Sequence, residues 1–268
     1  MRRRERRLAF VITCEHAGNR IPARYRECFT GQHEALESHH GYDRGALPMA
    51  RDLAGAFGAP LFYSTVSRLL VDLNRSPGHR RLHAEAVRKL PATVRREIVA
   101  DYYAPMRGEA ERWIAKAVAA GQRVIHVSSH SFTPVLDGDV RTADVGLLYD
   151  PGRAGEAALC RTWQATLLAA LPHLRVRRNY PYAGKSDGFA AFLRKRYAER
   201  DYIGMELEIN QAIVLEGGPG WQRLRRSIVA SLAEASSRLF PRHAVKDEDG
   251  HQHRKAADEE SRKNGRRE

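Results

Sequence analysis

Five short stretches carry residue types that could do chemistry. Residues 13–22 read TCEHAGNRIP, so an apolar run ends and Glu15 and His16 follow at once. His16 at a strand end is aimed as a metal ligand or an acid/base group would be; the plainer reading is a surface loop. Residues 39–46 read HHGYDRGA. Asp43 there could simply cap a following helix, but His39 and His40 beside it offer a carboxylate and an imidazole together. Residues 67–76 read SRLLVDLNRS. If that run is extended, Asp72 and Asn74 share one face with Arg68 in phase. Arg can grip a carboxylate with two parallel hydrogen bonds, or can serve as the structural partner of Asp72. In residues 124–132, VIHVSSHSF, alternation places His126, Ser128 and His130 on one face. His130 falls at the end of the run, whereas His126 sits mid-strand and reads as a satisfied core or supporting residue. Residues 204–211, GMELEINQ, put Glu206, Glu208 and Asn210 on one face. Two in-phase carboxylates on a covered strand need a metal, an arginine or a proton-transfer task.

Taken together these stretches supply two histidines and several carboxylates, each near a strand end. That is the inventory of a hydrolytic zinc site, two His and a carboxylate plus a free Glu. The sequence contains no HExxH helix and no GxxxxGK[ST] or GxGxxG loop. Those absences argue against the zincin, phosphate-loop and dinucleotide solutions.

The elements that must position these residues follow from periodicity. Apolar, β-branched runs at 8–14, 60–67, 123–131, 144–149, 174–178 and 202–210 read as strands. Helix-period segments lie at 43–57, 91–120 (with Pro105 marking a break), 153–171, 187–200 and 221–240. Strands alternating with helices predict an α/β fold, a three-layer α/β/α sandwich with a mixed, mainly parallel sheet. In such sheets function gathers at the carboxyl ends of the strands. The chain divides into a basic N-terminal extension over 1–7, a metallohydrolase domain over 8–240 and a charged tail over 241–268. The tail lacks apolar periodicity and is expected to be disordered; its His251 and His253 read as solvated surface.

Composition narrows the class. The 268 residues are 43% hydrophobic and 8% aromatic, enough for one sizeable core. No apolar run is long enough to span a membrane, and the stretch at 8–14 is short for a signal peptide, so a cytoplasmic location is expected. Cys14, Cys28 and Cys160 are odd in number and widely spaced, which excludes a disulfide framework or a CxxC pair. The net charge of +13 is unevenly placed: residues 2–7 carry five Arg and one Glu, and the body keeps scattered Arg. With no recognition motif or aromatic-interleaved basic stripe, it points to an Arg-rich proteome or to a site for anionic substrates rather than to nucleic acid.

The ordered series TCEHAGNRIP, HxxxDxGA at 39–46, SRLLVDLNRS, SSHSFTP, ADVGLLYDP, NYPYAGKSDG and GMELEINQ resembles the N-formylglutamate amidohydrolase family, over residues 8 to 240. The resemblance implies a phosphorylase/hydrolase-like fold akin to zinc carboxypeptidases, and hydrolysis of an N-formyl-L-glutamate-like amide by metal-activated water. His16, Asp43 and His130 would hold a divalent metal, zinc by preference. Glu208, which matches the family's Glu-x-x-Gln with Gln211, would be the base. Arg68, Asn74 and Arg75 would anchor the substrate carboxylate, and the 179–188 segment, with Tyr182 and Lys185, would form a substrate loop. The carboxypeptidase HxxE is missing, because Asn19 stands three residues after His16. The carboxylate ligand must then come from elsewhere, from Asp43 or Glu15; Glu15, His39 and Glu206 are alternative ligands or supporting groups. Rival readings are a zinc carboxypeptidase, another N-acyl-amino-acid deacylase, or a non-catalytic basic binding protein on the same fold. The substrate is expected to be a small N-acyl amino acid; the oligomeric state is not legible.

Overall fold

The computed structural model describes residues 6–241. Most of the basic extension and nearly all of the polar tail, with His251 and His253, lie outside the described residues.

Among the described residues eight strands form: β1 (Leu8–Cys14), β2 (Leu61–Tyr63), β3 (Arg123–Phe132), β4 (Val135–Leu136), β5 (Asp139–Val140), β6 (Val145–Leu148), β7 (Val176–Arg178) and β8 (Tyr202–Asn210). Six make one sheet in the order β2-β1-β3-β8-β6-β7; β4 and β5 form a separate small hairpin. The pairings are parallel except for β6, which runs antiparallel to β8. The sheet is thus mixed and mainly parallel, as predicted. β3 and β8 are buried along almost their whole length. Central strands covered on both faces must be apolar on both, unless a polar side chain has a dedicated partner.

Among the described residues nine α-helices cover the sheet and its edges: α1 (His33–Glu37), α2 (Ala46–Phe57), α3 (Glu85–Arg88), α4 (Ala92–Ile98), α5 (Ala104–Ala119), α6 (Ala154–Ala170), α7 (Phe189–Arg194), α8 (Gln211–Glu216) and α9 (Gly218–Leu239). On one face α2, α6 and α9 close a core in which Met49, Leu53, Trp163, Leu167, Ile228 and Leu232 meet Ile12, Val127 and Leu207. The Trp163 indole is fully buried, and its Nε1–H donates to the Ser231 hydroxyl at 3.0 Å, so its polar edge is satisfied. On the other face α5 and α7 bring Ala110, Ile114, Phe189 and Leu193 onto Val11, Val124 and Tyr202. Two helical layers around one sheet give the α/β/α sandwich. A third cluster, with Leu70, Val71, Leu73, Val87, Ile98 and Tyr103, lies beneath the 64–103 region beside the sheet.

Several boundaries differ from the periodicity, each for a local reason. The strand expected over 60–67 ends at Tyr63. Residues 64–67 leave the ladder to bond the loop after β1, with Ala17 N–H donating to Ser64 O and Arg20 N–H to Thr65 O. Residues 68–75 are turns rather than an extended run. Their leucines and Val71 fill the third core cluster, which removes the alternation expected of Asp72 and Asn74. The helix expected over 91–120 widens into a π-helical turn at Val99–Tyr103, just ahead of Pro105. Proline lacks the N–H that would continue the ladder there, and the wider turn absorbs the defect. The helix expected from residue 43 starts at Ala46, because Gly45 takes a left-handed φ of 80°. Asp43 is therefore no helix cap. The helix expected over 187–200 is confined to Phe189–Arg194, and α1, α8 and the β4–β5 hairpin carried no periodic signal.

Candidate active site

β1, β3 and β8 are parallel neighbours, so their carboxyl ends open on the same edge of the sheet. Each ends in polar residues: Glu15 and His16 follow β1, Ser128 to Ser131 close β3, and Glu206 and Glu208 lie in β8. Pairing of β3 with β8 sets His130 opposite Glu208 and Ser128 opposite Glu206. The 43–46 segment is stitched above them. Asp43 N–H donates to His16 O, Ser129 Oγ to Ala46 O, and Ser131 Oγ to Arg44 O. Gly146 of β6, opposite Glu208, keeps the wall thin: a Cβ there would sit 2.0 Å from Tyr180 O and 3.2 Å from Glu208 Cβ.

His16, Asp43 and His130 converge and are almost fully buried, with one potential ligand atom from each lying within 4.8 Å of the others. Asp43 Oδ2 is 3.2 Å from His16 Nδ1 and 2.8 Å from His130 Nδ1. The far nitrogen of each ring meets a carboxylate: His16 Nε2 is 2.7 Å from Asp72 Oδ1, and His130 Nε2 is 3.1 Å from Glu15 Oε2. Ser128 donates its hydroxyl proton to Glu15 at 2.6 Å, so its oxygen is left to accept from His130 Nε2 at 2.8 Å. Both imidazoles are thereby oriented with Nε2 toward a carboxylate and Nδ1 toward Asp43. Carboxylates that orient ligand histidines in this way are a common support of metal sites. Arg68 donates from Nη1 to Asp43 Oδ1 at 3.1 Å and from Nη2 to Asp72 Oδ2 at 3.3 Å.

The electrostatics follow from this packing. Burial opposes ionisation of Asp43 and Asp72, yet His16, His130 and Arg68 overcome it around Asp43, and Arg68 and His16 around Asp72. Both carboxyls are held below the usual carboxylate range. Glu15 is likewise pushed down to about 2, against burial, by His130, Ser128 and Thr13. His130 is raised well above the ordinary histidine value, again against burial, by Asp43 and Glu15. Glu208 behaves oppositely. Burial lifts its carboxyl to about 8, the charges of Asp43 and Glu206 add to this, and His130 offsets part of it. Its Oε2 is buried without a hydrogen-bond partner.

The donor set fits a divalent metal. Glu15, Asp43 and Asp72 are met by the guanidinium groups of Arg68 and Arg75, so with neutral imidazoles, the form that can ligate a metal, a net negative charge remains in a buried pocket. Buried charge of that size is normally matched by a cation. Two ring nitrogens and one carboxylate oxygen form the three-residue ligand set typical of zinc sites that keep a position for water or substrate.

The cluster opens into a cavity of about 920 Å³, also lined by Arg68, Asn74, Arg75, Tyr182, Glu206 and Glu208. Asn74 Oδ1 accepts the Phe189 amide at 2.7 Å while its Nδ2 lies 3.4 Å from His130 Nε2 and 3.5 Å from Glu206 Oε2. Arg75 is committed in part to structure, donating to Asp187 O at 2.7 Å. Tyr182 is exposed and accepts from Arg141 at 3.0 Å. His39 lines the cavity with its ring against His40 and its Nε2 buried without a partner. Lys185 does not line it and pairs instead with Asp150 at 3.4 Å.

Arg107 escaped the sequence reading, which named Asp72 as a partner of Arg68 and His126 as a satisfied core or supporting residue without naming the partners that follow. Asp72 orients His16 across 56 residues, a pairing no local spacing announces. Arg107, buried on α5, donates to the carbonyls of Leu73 and Arg75 and holds the arginine-bearing loop from below. His126 lies in a buried chain behind Glu15. Its Nε2 is 2.8 Å from Thr13 Oγ1, and its Nδ1 is 2.6 Å from the Tyr202 hydroxyl. A neutral imidazole offers one donor and one acceptor, so His126 donates to one of these two hydroxyls and accepts from the other.

Burial holds His126 neutral, with its pKa lowered from 6.5 to about 4. The unfolded chain therefore binds a proton between those values that the native state refuses. Stability is full above pH 6.5 and falls as pH drops toward 4, by about 3 kcal/mol in all from this residue. His126→Gln should flatten that part of the curve of melting temperature against pH; an unchanged slope would contradict a neutral buried His126.

A family model described as N-formylglutamate amidohydrolase matches residues 8–215. Among solved structures, a gene product of Agrobacterium tumefaciens superposes with a TM-score of 0.74 at 29% identity, covering 86% of this chain and 91% of that one. An N-formylglutamate amidohydrolase from Ralstonia eutropha superposes with a TM-score of 0.64 at 18% identity, covering 87% and 94%, a likeness of fold. No curated protein sequence matches the chain.

Proposed function

The chain belongs to the N-formylglutamate amidohydrolase family, and from that premise we propose that it hydrolyses the amide of a small N-acyl amino acid, N-formyl-L-glutamate being the model substrate, with a divalent metal held by His16, Asp43 and His130. The observation that carries this reading is the buried His–Asp–His cluster with an unpartnered Glu208 carboxylate beside it at the ends of three parallel strands. Zinc suits two imidazole nitrogens and a carboxylate oxygen. When bound, such an ion supplies a Lewis acid that polarises the acyl carbonyl and makes water a stronger nucleophile at neutral pH.

The remaining work falls to the chain's own groups. Glu208 takes a proton from the attacking water at the carboxylate and returns it to the nitrogen of the leaving amine. Glu206, one strand step earlier and within reach of Asn74, supports the cluster from the side. Asp72 and Glu15 keep both histidines in the tautomer that turns Nδ1 inward. Arg68 spends one N–H of each terminal nitrogen on Asp43 and Asp72, leaving one on each to grip a substrate carboxylate in two-pronged fashion. Asn74, Arg75 and Tyr182 complete the wall around it.

Two measurements test the assignment. A panel of N-formyl, N-acetyl and longer N-acyl amino acids, with dipeptides as the carboxypeptidase arm, should show turnover of acidic N-acyl amino acids and none of dipeptides. Turnover of dipeptides alone would overturn the substrate class. Arg68→Lys, which keeps the charge and loses the fork, should raise KM for an acidic substrate by about tenfold or more. An unchanged KM with a lower melting temperature would assign Arg68 to structure alone.

A further inference from the structure

The cavity is larger than N-formylglutamate requires, and its outer wall is rich in arginine. At about 920 Å³ it stands near the top of the range for pockets that enclose drug-sized ligands. Beyond Arg68 and Arg75, its outer wall is built from residues 79–88, which bring Arg80, Arg81 and Arg88 to the same space together with His79 and His83.

That wall is anchored. The turn at 76–79 is closed by His79 N–H to Ser76 O at 3.0 Å, and Ser76 is held by both carboxylate oxygens of Asp187. Asp72 N–H donates to Leu82 O, and Ala84 N–H to Leu69 O, so the arm is laced to the loop that carries Arg68. Leu82 and Val87 are buried in the third core cluster and fix the arm from beneath. The Arg88 guanidinium is placed by a bond from Nη1 to Arg80 O at 3.4 Å.

The arginines themselves are exposed. Among the described residues no carboxylate lies within ion-pair distance of Arg80, Arg81 or Arg88; the nearby acid Glu85 is taken by Lys89 at 3.0 Å. Three like charges are thus carried by one stretch of the outer wall, whose own acid, Glu85, is paired with Lys89, while the cavity's other carboxylates belong to the inner cluster and to Asp137 and Asp187. Their mutual repulsion is relieved when an anionic group enters between them, and guanidinium groups favour carboxylates.

We propose that residues 79–88 form an outer anion subsite, and that the substrate carries a third carboxylate, beyond the two of an N-acylglutamate, which binds Arg80, Arg81 and Arg88. This rests on the amidohydrolase reading above and narrows its substrate class to N-acyl amino acids with an additional acidic arm. The arm can extend from either side of the scissile amide, and the same chemistry serves both.

The test compares three probes on the metal-loaded enzyme. N-formyl-L-glutamate has two carboxylates. N-formyl-L-glutamyl-L-glutamate adds a third on the amine side, and N-glutaryl-L-glutamate adds a third on the acyl side. One three-carboxylate probe should exceed N-formyl-L-glutamate in kcat/KM by about tenfold, and which one it is identifies the side. R80Q/R81Q/R88Q should erase that gain while leaving N-formyl-L-glutamate turnover unchanged, and rising salt should erase it in the parent enzyme. Equal kcat/KM for all three probes would overturn the subsite, as would an equal loss on all three in the variant. If no probe is hydrolysed, the amidohydrolase reading fails instead. Calorimetric titration of the same probes then still decides the subsite, which requires tighter binding of a three-carboxylate probe by the parent than by the variant. Salt-sensitive binding of a single-stranded oligonucleotide, with no preference among the probes, would place these arginines on a nucleic-acid surface and overturn the proposal.

Discussion

His16→Ala and His130→Ala are each expected to purify with little bound metal and to lose turnover below detection. Each removes one of three ligand atoms, and each leaves charge stranded. Without His16, Asp72 keeps only Arg68, Arg75 and the Asn74 amide to offset its buried carboxylate. Without His130, Glu15 loses its main counter-charge in a fully buried position, retaining the hydroxyls of Ser128 and Thr13. Breaking such a pair by removing one partner destabilises by about 3–5 kcal/mol. Lost activity alone is therefore ambiguous, and melting temperature must be read beside metal content. Glu15→Gln and Asp72→Asn resolve the ambiguity. They leave the ligand atoms in place and disturb only the orientation of the rings, so metal affinity should fall by about 10–100-fold without being abolished. Full metal occupancy in both alanine variants would remove His16 and His130 from the ligand set.

Glu208→Gln should keep its metal and lose about two to four orders of magnitude in kcat. The side chain keeps its shape, and the position is one where a neutral group is well tolerated, since burial already lifts the carboxyl to about 8. Melting temperature should hold or rise, the reverse of the histidine variants. Glu206→Gln should cost less, because Glu206 reaches the site through Asn74 at 3.5 Å rather than through an open face. Reversed effects would shift the base by one strand step; no effect from either would take proton transfer away from β8.

The fold was legible where apolar runs are long and end abruptly. β1, β3 and β8 sit in the sheet interior; β1 runs apolar up to Glu15 and His16, and in β3 and β8 the polar residues alternate with apolar ones toward the carboxyl end, so they share the face near which the cavity opens. That pattern leads to His16, His130 and Glu208 from sequence. Residues 67–75 were the hard case. Leu70, Val71 and Leu73 look like a strand because they are buried, yet they are buried in a cluster beside the sheet, on turns. A short apolar run records burial without recording which surface it is buried against. The turns redirect Asp72 to His16 and Arg68 to both aspartates, a network with no local spacing to reveal it. Arg107 was hidden for a related reason: it is satisfied by partners from a remote part of the chain and in sequence is an ordinary helix arginine, whereas His126 reads from its mid-strand place as the satisfied core residue it is, without its partners being legible.

Zinc titration into chelator-stripped protein, followed by formate release from N-formyl-L-glutamate, tests the central claim most directly. The account predicts no turnover without metal and a linear rise that breaks at one equivalent per chain. Turnover that survives stripping, or that stays absent on both N-formyl-L-glutamate and its acidic analogues with one equivalent bound, would contradict it.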